Sequence, residues 1–403
     1  MADRIVITSM SILSALGYGE EAHLDALTHS RPGLQHPVHL QTRHADDVWI
    51  GEVKMSDAEL AASLGLPETE NGCTRTTLLA LMAMRQLLED YDRSLLHDNS
   101  FAFINANTVG GMCSVENMYL DFIEPGKEGP FIRYIDTLDC AESTQNVSRY
   151  FGLKPFMATI STACSSSANA LILGARLIRQ GLVERAICGG CDAMSRFTVN
   201  GFLSLKNVDK APCKPFDEHR MGLNLGEGAG YLMLEKESDA VRRGTKILAY
   251  FSGYANSNDA YHPTAPSPDG AGAYRTMQQA LEKAGLQPDH IGYVNAHGTA
   301  TINNDAAEGK AIENLFGTSA PHFSSTKPFT GHTLAAAGVI EAIFSIWAMQ
   351  KGMVFPNLNF STQMNELQIQ PATALYEGLS INHVLSNSFG FGGNNVSLVF
   401  SKV

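Results

Sequence analysis

Cys164 stands at a point in the chain where a cysteine could act as a nucleophile. It follows an apolar run that ends at Ile160 and is predicted to be a buried strand, and it precedes a stretch, Ala168 to Ala175, that is apolar on every side. A helix that is apolar all round is buried, so Cys164 is predicted at the N-terminus of a core helix. The helix dipole and the unpaired N–H groups at that end favour a thiolate and lower the thiol pKa. A small buried cysteine without chemistry is the alternative at this point.

Two histidines occur in similar surroundings in the second half of the chain. His297 follows the apolar run that starts at Tyr293 and precedes a glycine, while His332 follows a glycine and precedes a run of small residues. Each is expected at the carboxyl end of a strand in a parallel sheet, where active sites collect. A lone histidine is more often structural, but two at equivalent strand ends with Lys327 beside one favour a common site.

Glycines flank Phe391 in the run Asn387-Ser-Phe-Gly-Phe-Gly-Gly. They allow backbone N–H groups to point at a ligand and allow the phenylalanine ring to move. Together the four stretches offer a thiolate, two imidazole donors, a cation and a backbone site for an oxyanion. Two neutral donor imidazoles suit the stabilisation of an enolate or a thioester oxyanion.

Other chemistries receive less support from the sequence. Cys188-Gly-Gly-Cys191 has zinc or redox spacing, but no second such pair and no nearby pair of histidines completes it. Because that site is incomplete, we predict that no metal takes part in the chemistry. A cysteine peptidase would leave the second histidine and Lys327 unexplained.

Composition sets limits on partners and compartment. The chain has 403 residues, more than one core usually organises, and a net charge of −12 that argues against nucleic acid as a partner. Seven cysteines without a repeating spacing, and no secretory signal before them, predict a cytoplasmic protein with free thiols. No apolar run reaches the length of a membrane span.

Strands and helices alternate along the chain, which predicts an α/β fold with a mostly parallel sheet and helices on both faces. We predict strands at 5–10, 101–104, 157–160, 185–188, 227–235, 247–254, 291–295 and 323–325, and a pair of strands over 386–400 around Gly390–Gly393. Helices are predicted at 20–28, 74–91, 142–151, after Cys164, and at 273–284, 304–316 and 333–349. Residues 112–141 show no clear periodicity and are expected to be an insertion that builds a binding surface.

The quoted residues resemble those of β-ketoacyl-[acyl-carrier-protein] synthases of the KAS II type and of ketosynthase subunits of type II polyketide systems. The shared motifs, in the right order over nearly the whole chain, are Thr162-Ala-Cys-Ser-Ser, Asn295-Ala-His-Gly-Thr, Ser325-Thr-Lys with Gly331-His, and Asn387-Ser-Phe-Gly-Phe-Gly-Gly. The resemblance implies a thiolase-like fold, in which two similar halves form a five-layered αβαβα sandwich and a dimer forms across a central strand. We assign residues 1–245, with the nucleophile and dimer-forming insertions, to the first half and residues 246–403, with both histidines, to the second.

The same resemblance implies a decarboxylative Claisen condensation that yields a 3-oxoacyl product. Cys164 would carry the acyl chain as a thioester, and its N–H and that of Phe391 would form the oxyanion hole. His297 and His332 would hold the carbonyl of a malonyl thioester while carbon dioxide leaves. Phe391 would also gate the second substrate, and Lys327 would be a supporting charge near His332.

Supporting residues also follow from the resemblance. Glu308, which lies about one helical turn past Asp305, would pair with Lys327. Phe202 would help to shape the acyl pocket. The phosphopantetheine arm, which arrives on the acyl carrier protein and makes any further cofactor unnecessary, would contact three threonines: Thr264, Thr299 and Thr301. A structural cation site is matched by four side chains: Asn295, Glu341, Ser386 and Asn387.

Two departures from the usual pattern bear on the pathway. Asn394 follows Gly393 where a threonine is usual, and Ala265 follows Thr264 where a serine is common. This variant is similar to ketosynthases of polyene-type polyketide clusters, including aryl polyene pathways, which work beside a chain-length factor that lacks the cysteine. Because Cys164 is present, we expect the catalytic member, with acyl carrier protein as a partner and either a homodimer or a heterodimer with a chain-length factor. A non-decarboxylating thiolase and a chain-length-factor-like subunit remain the alternatives.

Overall fold

The computed structural model describes residues 3–67, 72–89, 91–96, 99–123 and 130–403. Its strands, numbered in chain order, are β1 Ile5–Ser14, β2 Gly17–Tyr18, β3 Ile50–Gly51, β4 Phe101–Ala106, β5 Phe156–Ile160, β6 Arg185–Asp192, β7 Leu225–Gly226, β8 Gly228–Lys236, β9 Ala249–Asn258, β10 Tyr293–Asn295, β11 His322–Ser324, β12 His383–Gly390 and β13 Asn394–Ser401.

The helices fall between these strands. They are α1 Gly19–Thr28, α2 Asp57–Ser63, α3 Arg75–Glu89, α4 Met112–Ile123, α5 Cys140–Tyr150, α6 Ser166–Arg179, α7 Arg196–Ser204, α8 Glu237–Arg243, α9 Ala271–Ala284, α10 Ile302–Phe316, α11 Lys327–Thr330 and α12 Ala337–Lys351. Short 3₁₀ turns include Pro130–Leu138, Leu334–Ala336 and Phe391–Gly393.

Ten of the strands form two sets of five that share one topology. The first set has the order β5-β4-β6-β8-β1 and the second has the order β11-β10-β12-β13-β9. In each set the first three strands of that order are parallel and the last two join by antiparallel pairs. The expectation of two similar halves is confirmed, whereas the sheet is mixed and not mostly parallel.

Helices cover both faces of each set of strands. α3 packs on β8 and β1, and α9 packs on β9 and β13, so these two helices form the outer layers. α6 packs on β6 and β4, α12 packs on β12 and β10, and α6 contacts α12 in the middle. The two sets join where Val6 and Ile7 of β1 pair with Tyr250 and Ala249 of β9. This is the five-layered αβαβα arrangement.

The central helix α12 explains why the chain contains one long apolar segment. Every residue from Ala337 to Met349 is buried. The expectation that no apolar run reaches the length of a membrane span is wrong. Among the described residues, the segment Leu334–Lys351 is long and apolar enough to cross a membrane, with a mean hydropathy of 1.2, but 89% of it is buried within the fold. A helix enclosed on every side needs an apolar surface all round, so this segment is a core helix.

Three sequence-based expectations concern the first half of the chain. β5 was expected to be buried, but it is the edge strand of its set, with Phe156 47% and Met157 44% exposed. Residues 112–141 show no clear periodicity in the sequence and were expected to be an insertion, yet they contain α4 and a 3₁₀ turn, and residues 124–129 lie outside the described part of the chain. The division at residues 245 and 246 falls between α8 and β9 and stays a prediction.

Tertiary contacts account for the helix that periodicity missed. α4 packs against α7, and the Glu116 carboxylate accepts hydrogen bonds from the backbone N–H groups of Arg196 and Phe197 at 2.7 and 2.9 Å. These two donors belong to the first turn of α7, whose N–H groups have no partner within the helix. This contact holds α4 against the N-terminus of α7.

Candidate active site

Cys164 lies on the tight turn that connects β5 to α6. The residue before it, Ala163, has a φ of 52°, a left-handed conformation that is uncommon and strained for a residue other than glycine. The turn is held by Ser166, whose hydroxyl accepts the N–H of Thr162 at 2.8 Å. Gly390 packs against it so closely that a Cβ there would lie 3.1 Å from the backbone nitrogen of Cys164. The sulfur is therefore fixed just before the first turn of α6, as the sequence predicted.

The fold brings Cys164, His297 and His332 together. The sulfur and one nitrogen of each imidazole lie within 4.8 Å of one another, and the two imidazole rings stand edge to face with centroids 5.4 Å apart. Among the described residues this is the one buried group of cysteine, histidine or carboxylate side chains that closes to such distances. The Cys188 and Cys191 pair lies inside β6, and both thiols are free and buried.

The structure fixes the proton positions of His332. The N–H of Leu334 donates to Nδ1 of His332 at 3.2 Å, so the neutral ring carries its proton on Nε2. Burial lowers the pKa of His332 well below its ordinary value, and the charge on Lys327 lowers it further. Nε2 has no hydrogen-bond partner among the described residues, and His332 lines the cavity that contains Cys164. It is a neutral donor without an acceptor.

His297 is held in the same state by a different neighbour. The ammonium of Lys327 lies 3.3 Å from Nδ1 of His297, and an ammonium can only donate, so the proton of the ring is again on Nε2. Burial lowers the pKa of His297 well below its ordinary value, and Lys327 and His332 both add to the effect. Both imidazoles are therefore neutral hydrogen-bond donors, as the proposed chemistry needs.

Lys327 pairs with Glu341, so the expected pairing with Glu308 is wrong. The Lys327 ammonium donates to the Glu341 carboxylate and, at 2.6 Å, to the backbone carbonyl of His297. Burial raises the pKa of Glu341 to about 7 against the effect of Lys327. Glu341 is the lone charged residue in the apolar stretch of α12. A buried charge needs a partner, which is the signal that could have identified the pair from the sequence.

Glu308 orients the loop that carries His297 instead. Its carboxylate accepts the N–H groups of His297 and Gly298, both at 2.8 Å, and the side-chain amide of Asn387 at 3.1 Å. These bonds occupy the carboxylate oxygens of Glu308 that an ion pair with Lys327 would have needed. Burial raises the pKa of Glu308 to about 7. Glu308 is thus a supporting residue, although not as the partner of the lysine.

Asp305 performs a similar task one turn earlier. It accepts the N–H groups of Phe216 at 2.7 Å and Thr299 at 3.0 Å, and both its oxygens contact the N–H of Ala300. Ala300 has a φ of 62°, so the carboxylate stabilises a strained turn. The turn places Thr299 and Thr301 with their hydroxyl oxygens 2.8 Å apart at the wall of the cavity.

Two cavities meet at Cys164 and Phe391. The first, of about 210 Å³, also contains both histidines and the three threonines expected at the pantetheine arm: Thr264, Thr299 and Thr301. The second, of about 270 Å³, has a mainly apolar wall that includes Phe202, Leu205 and Leu334. The ring of Phe391 stacks on Phe202 with centroids 5.6 Å apart. Phe391 thus stands between a chamber of mixed polarity and an apolar one.

The thiol of Cys164 differs from the expectation of a lowered pKa. Burial raises its pKa to about 11, although Lys327 and the N–H groups of Phe391 and Cys164 itself act in the opposite direction. The helix-end position lowers a pKa when the thiol is solvated, but Cys164 is only 7% exposed, and desolvation of the thiolate outweighs that effect. The resting nucleophile is therefore the neutral thiol.

Three of the four side chains expected at a cation site fit that purpose. Asn295 Oδ1, Glu341 Oε2 and Ser386 Oγ are buried and have no hydrogen-bond partner among the described residues. Oxygen atoms are the ligands that hard cations prefer, so these three would hold a cation beside the Lys327–Glu341 pair. Asn387 differs from these three, because its side-chain oxygen accepts the hydroxyl of Ser397 at 2.7 Å and its nitrogen is directed to Glu308 and Met277.

Known proteins share both the sequence and the fold. A 3-oxoacyl-[acyl-carrier-protein] synthase 2 of Staphylococcus aureus (strain N315) is 34% identical, with 99% of this chain and 98% of that protein covered. The structure of the ishigamide ketosynthase/chain length factor superposes with a TM-score of 0.90 at 28% identity over all of both chains. The complex AntDE:AntF, described as a type II PKS acyl-carrier protein with its ketosynthase bound to the hexaketide, gives 0.88 at 25% identity over all of both chains.

Two family descriptions match almost the whole chain. Residues 2–240 match the β-ketoacyl synthase N-terminal domain, and residues 248–361 match the β-ketoacyl synthase C-terminal domain. Cys164 falls in the first match, and His297 and His332 fall in the second. By these matches, by its kinship to the Staphylococcus protein and by its thiolase-like fold, the chain belongs to the β-ketoacyl synthase family.

Proposed function

We propose that the protein condenses a Cys164-bound acyl chain with malonyl-acyl carrier protein, releasing carbon dioxide and giving 3-oxoacyl-acyl carrier protein. The observation that carries the proposal is the set formed by Cys164, His297 and His332, in which a thiol and two neutral Nε2–H donors share one cavity. A thiol supplies the covalent site. Two neutral donors stabilise negative charge without delivering a proton to it.

The first half-reaction loads the acyl chain. The sulfur of Cys164 attacks the carbonyl carbon of the incoming thioester, and the negative oxygen that forms is stabilised by the N–H groups of Phe391 and Cys164. The pantetheine sulfur leaves and takes up the proton that the Cys164 thiol gives up. The chain then lies in the apolar cavity along Phe202 and Leu334, which matches its chemistry.

The second half-reaction makes the carbon–carbon bond. The carbonyl oxygen of a malonyl thioester accepts hydrogen bonds from Nε2 of His297 and of His332, and loss of carbon dioxide leaves an enolate on that oxygen. The enolate carbon attacks the acyl carbon on Cys164, and the carbon–sulfur bond breaks as the 3-oxoacyl product forms. The thiolate that is expelled takes a proton from water and restores the thiol. The charge of Lys327, bonded to His297, stabilises the enolate through the imidazole.

Replacement of Cys164 tests the assignment. A Cys164→Ala protein should neither load an acyl chain nor condense it with malonyl-acyl carrier protein, as followed by mass spectrometry of the protein and of the carrier. Matched replacement of Cys188→Ala, a buried thiol in β6, should leave both steps in place. Retained condensation in Cys164→Ala would refute the proposal.

The histidines separate the two half-reactions. His297→Ala or His332→Ala should raise the barrier to decarboxylation by more than about 2 kcal/mol, the scale of losing one oxyanion donor. Loading of Cys164 should fall less, because its oxyanion is held by backbone N–H groups. Equal loss of both half-reactions in both variants would contradict this division of roles.

The alternatives differ in identifiable ways. A non-decarboxylating thiolase uses a second cysteine in place of one histidine, whereas the group around Cys164 consists of two imidazoles. A chain-length-factor-like subunit would lack the nucleophile. Condensation from an acyl thioester without a malonyl group would favour the thiolase.

The proposal includes partners and a compartment. Acyl carrier protein would deliver both substrates on phosphopantetheine. The cavity that contains Cys164 and both histidines is lined by the threonines expected at the phosphopantetheine arm and by Lys206. The exposed edge strand β5, with Phe156 and Met157 uncovered, supports a dimer with a second copy or with a chain-length factor. We place the reaction in the cytoplasm and in polyketide synthesis of the polyene type, with fatty acid synthesis as the second pathway.

A further inference from the structure

A buried aspartate lies behind the wall of the apolar cavity and takes no part in the chemistry described above. Asp192 is the last residue of β6 and is 0% exposed. Its oxygens accept the N–H of Thr108 at 3.0 Å, the N–H of Val109 at 3.3 Å and the N–H of Ala335 at 2.9 Å, and they also accept the hydroxyl of Thr108. One carboxylate thus joins a loop of the first half to a turn of the second.

Both segments that the Asp192 carboxylate joins border the functional site. Thr108 and Val109 line the apolar cavity, and so does the side chain of Leu334, which precedes Ala335. The N–H of Leu334 is the donor that fixes the tautomer of His332. The carboxylate is therefore one residue away from the bond that keeps the proton of His332 on Nε2.

The turn after His332 would not keep its shape unaided. Leu334 has a φ of 52°, a left-handed conformation that costs a branched residue of the order of 1 kcal/mol or more and persists only where surrounding bonds enforce it. The bond from Ala335 to Asp192 holds the residue directly after it. If Leu334 relaxed, its N–H would turn away from Nδ1 of His332, and the ring would lose both its orientation and its single tautomer.

We propose that Asp192 is a positioning residue that holds the Leu334 turn and thereby keeps the Nε2–H of His332 ready for the malonyl carbonyl. The inference rests on the proposed function for its kinetic part. It also links the wall of the acyl cavity to the decarboxylation site, because the same carboxylate holds Thr108, Val109 and Ala335.

Asp192→Asn in the full-length protein is the direct test. The amide keeps the shape but turns a donor toward at least one of the N–H groups that the carboxylate accepts. Release of carbon dioxide from malonyl-acyl carrier protein should fall by at least about tenfold, the scale of one hydrogen bond to a charged group. Acyl loading of Cys164, followed by mass spectrometry, should fall less than about threefold, well below that scale.

A glycine at the strained position provides a rescue. Glycine adopts a positive φ without strain, so Leu334→Gly combined with Asp192→Asn should recover part of the decarboxylation rate lost in Asp192→Asn alone. Glu52→Gln is the matched control, since Glu52 is also buried and accepts three backbone N–H groups, at 2.7 to 2.9 Å, in the segment around His39. Glu52→Gln should leave the ratio of the decarboxylation rate to the acyl-loading rate unchanged.

The tautomer of His332 gives a readout that does not depend on the reaction. With ¹⁵N-labelled histidine, the wild-type spectrum should show Nε2 protonated and Nδ1 unprotonated, and Asp192→Asn should show a mixture. An unchanged tautomer and an unchanged half-reaction ratio in Asp192→Asn would overturn the inference, whereas a wild-type protein that releases no carbon dioxide would overturn the proposed function. Should Asp192→Asn not fold, Thr108→Val removes one bond to the carboxylate, and an unaltered decarboxylation rate there would equally count against the inference.

Discussion

The buried pair of Lys327 and Glu341 allows stability and catalysis to be separated. Lys327 is 2% exposed and Glu341 is 3% exposed, so a Lys327→Met protein leaves a carboxyl without its partner in the core. The pKa of Glu341 is about 7 even with the lysine present to lower it. Without Lys327 that pKa lies at 7 or above, and the buried carboxyl takes up a proton at neutral pH.

The free energy needed to keep the buried Glu341 carboxyl protonated at pH 7 follows from its pKa. The carboxyl has an ordinary pKa of 4.5, and keeping it neutral at pH 7 costs about 3.4 kcal/mol at 1.36 kcal/mol per pH unit. Because the pKa of Glu341 is higher in the folded than in the unfolded state, the Lys327→Met protein loses stability as the pH rises above 4.5. Glu341→Gln mimics the neutral carboxyl without the cost. The double variant Lys327→Met/Glu341→Gln should therefore be about 3 kcal/mol more stable than Lys327→Met at pH 7, and equally stable near pH 4.5.

Catalysis should not follow stability in this pair of variants. Both lack the ammonium that keeps Nδ1 of His297 an acceptor, so decarboxylation should stay low in both, by at least about tenfold against wild type. Urea denaturation at one fixed protein concentration measures the stability, and carbon dioxide release measures the activity. A double variant no more stable than Lys327→Met at pH 7, or one with restored decarboxylation, would refute this account of the pair.

Two further predictions concern the pH dependence of buried groups. Because the pKa of Cys164 is about 11, its alkylation by iodoacetamide should quicken about tenfold per pH unit from pH 7 to 10, and a plateau near pH 8.5 would contradict the burial effect. Burial also lowers the pKa of His23 from 6.5 to about 4, so the unfolded chain binds its proton first and stability falls as the pH drops below 6.5. His23→Gln, which can still bond to Ser14 and Gly19 as the histidine does, should remove about 2 kcal/mol of the stability difference between pH 7 and pH 5 in urea titrations.

Local patterns in the sequence were sufficient for the parts of the fold that depend on local order. The apolar run before Cys164 and the small residues after it predicted a strand, a turn and a core helix, and β5 and α6 have that order. His332 was also expected at a strand end, but it lies eight residues past β11, after the helix α11. The same reasoning put His297 at a strand end, where it lies two residues past β10, and the fold brings both histidines within reach of the sulfur. These predictions succeeded because side-chain periodicity and strand polarity are properties of a short segment.

The predictions that failed all depend on what lies across the fold. The exposure of β5 follows from its edge position, and strand order is not written in the strand itself. Lys327 pairs with Glu341 because Glu308 is already engaged by two backbone N–H groups. The raised pKa of Cys164 comes from its burial, which the helix-end argument did not include. Each requires knowledge of neighbours that are distant in the sequence.

The duplicated topology has an electrostatic consequence. α6 begins two residues after Cys164 and α12 begins five residues after His332, each behind the third strand of its half, and the two helices are in contact. The repeat therefore places one helix N-terminus shortly after Cys164 and another shortly after His332, and each carries the equivalent of about half a positive charge. The peptide backbone alone supplies a field that favours a thiolate, an enolate or a malonyl carboxylate. That field has no pKa, and substitution of a side chain does not remove it.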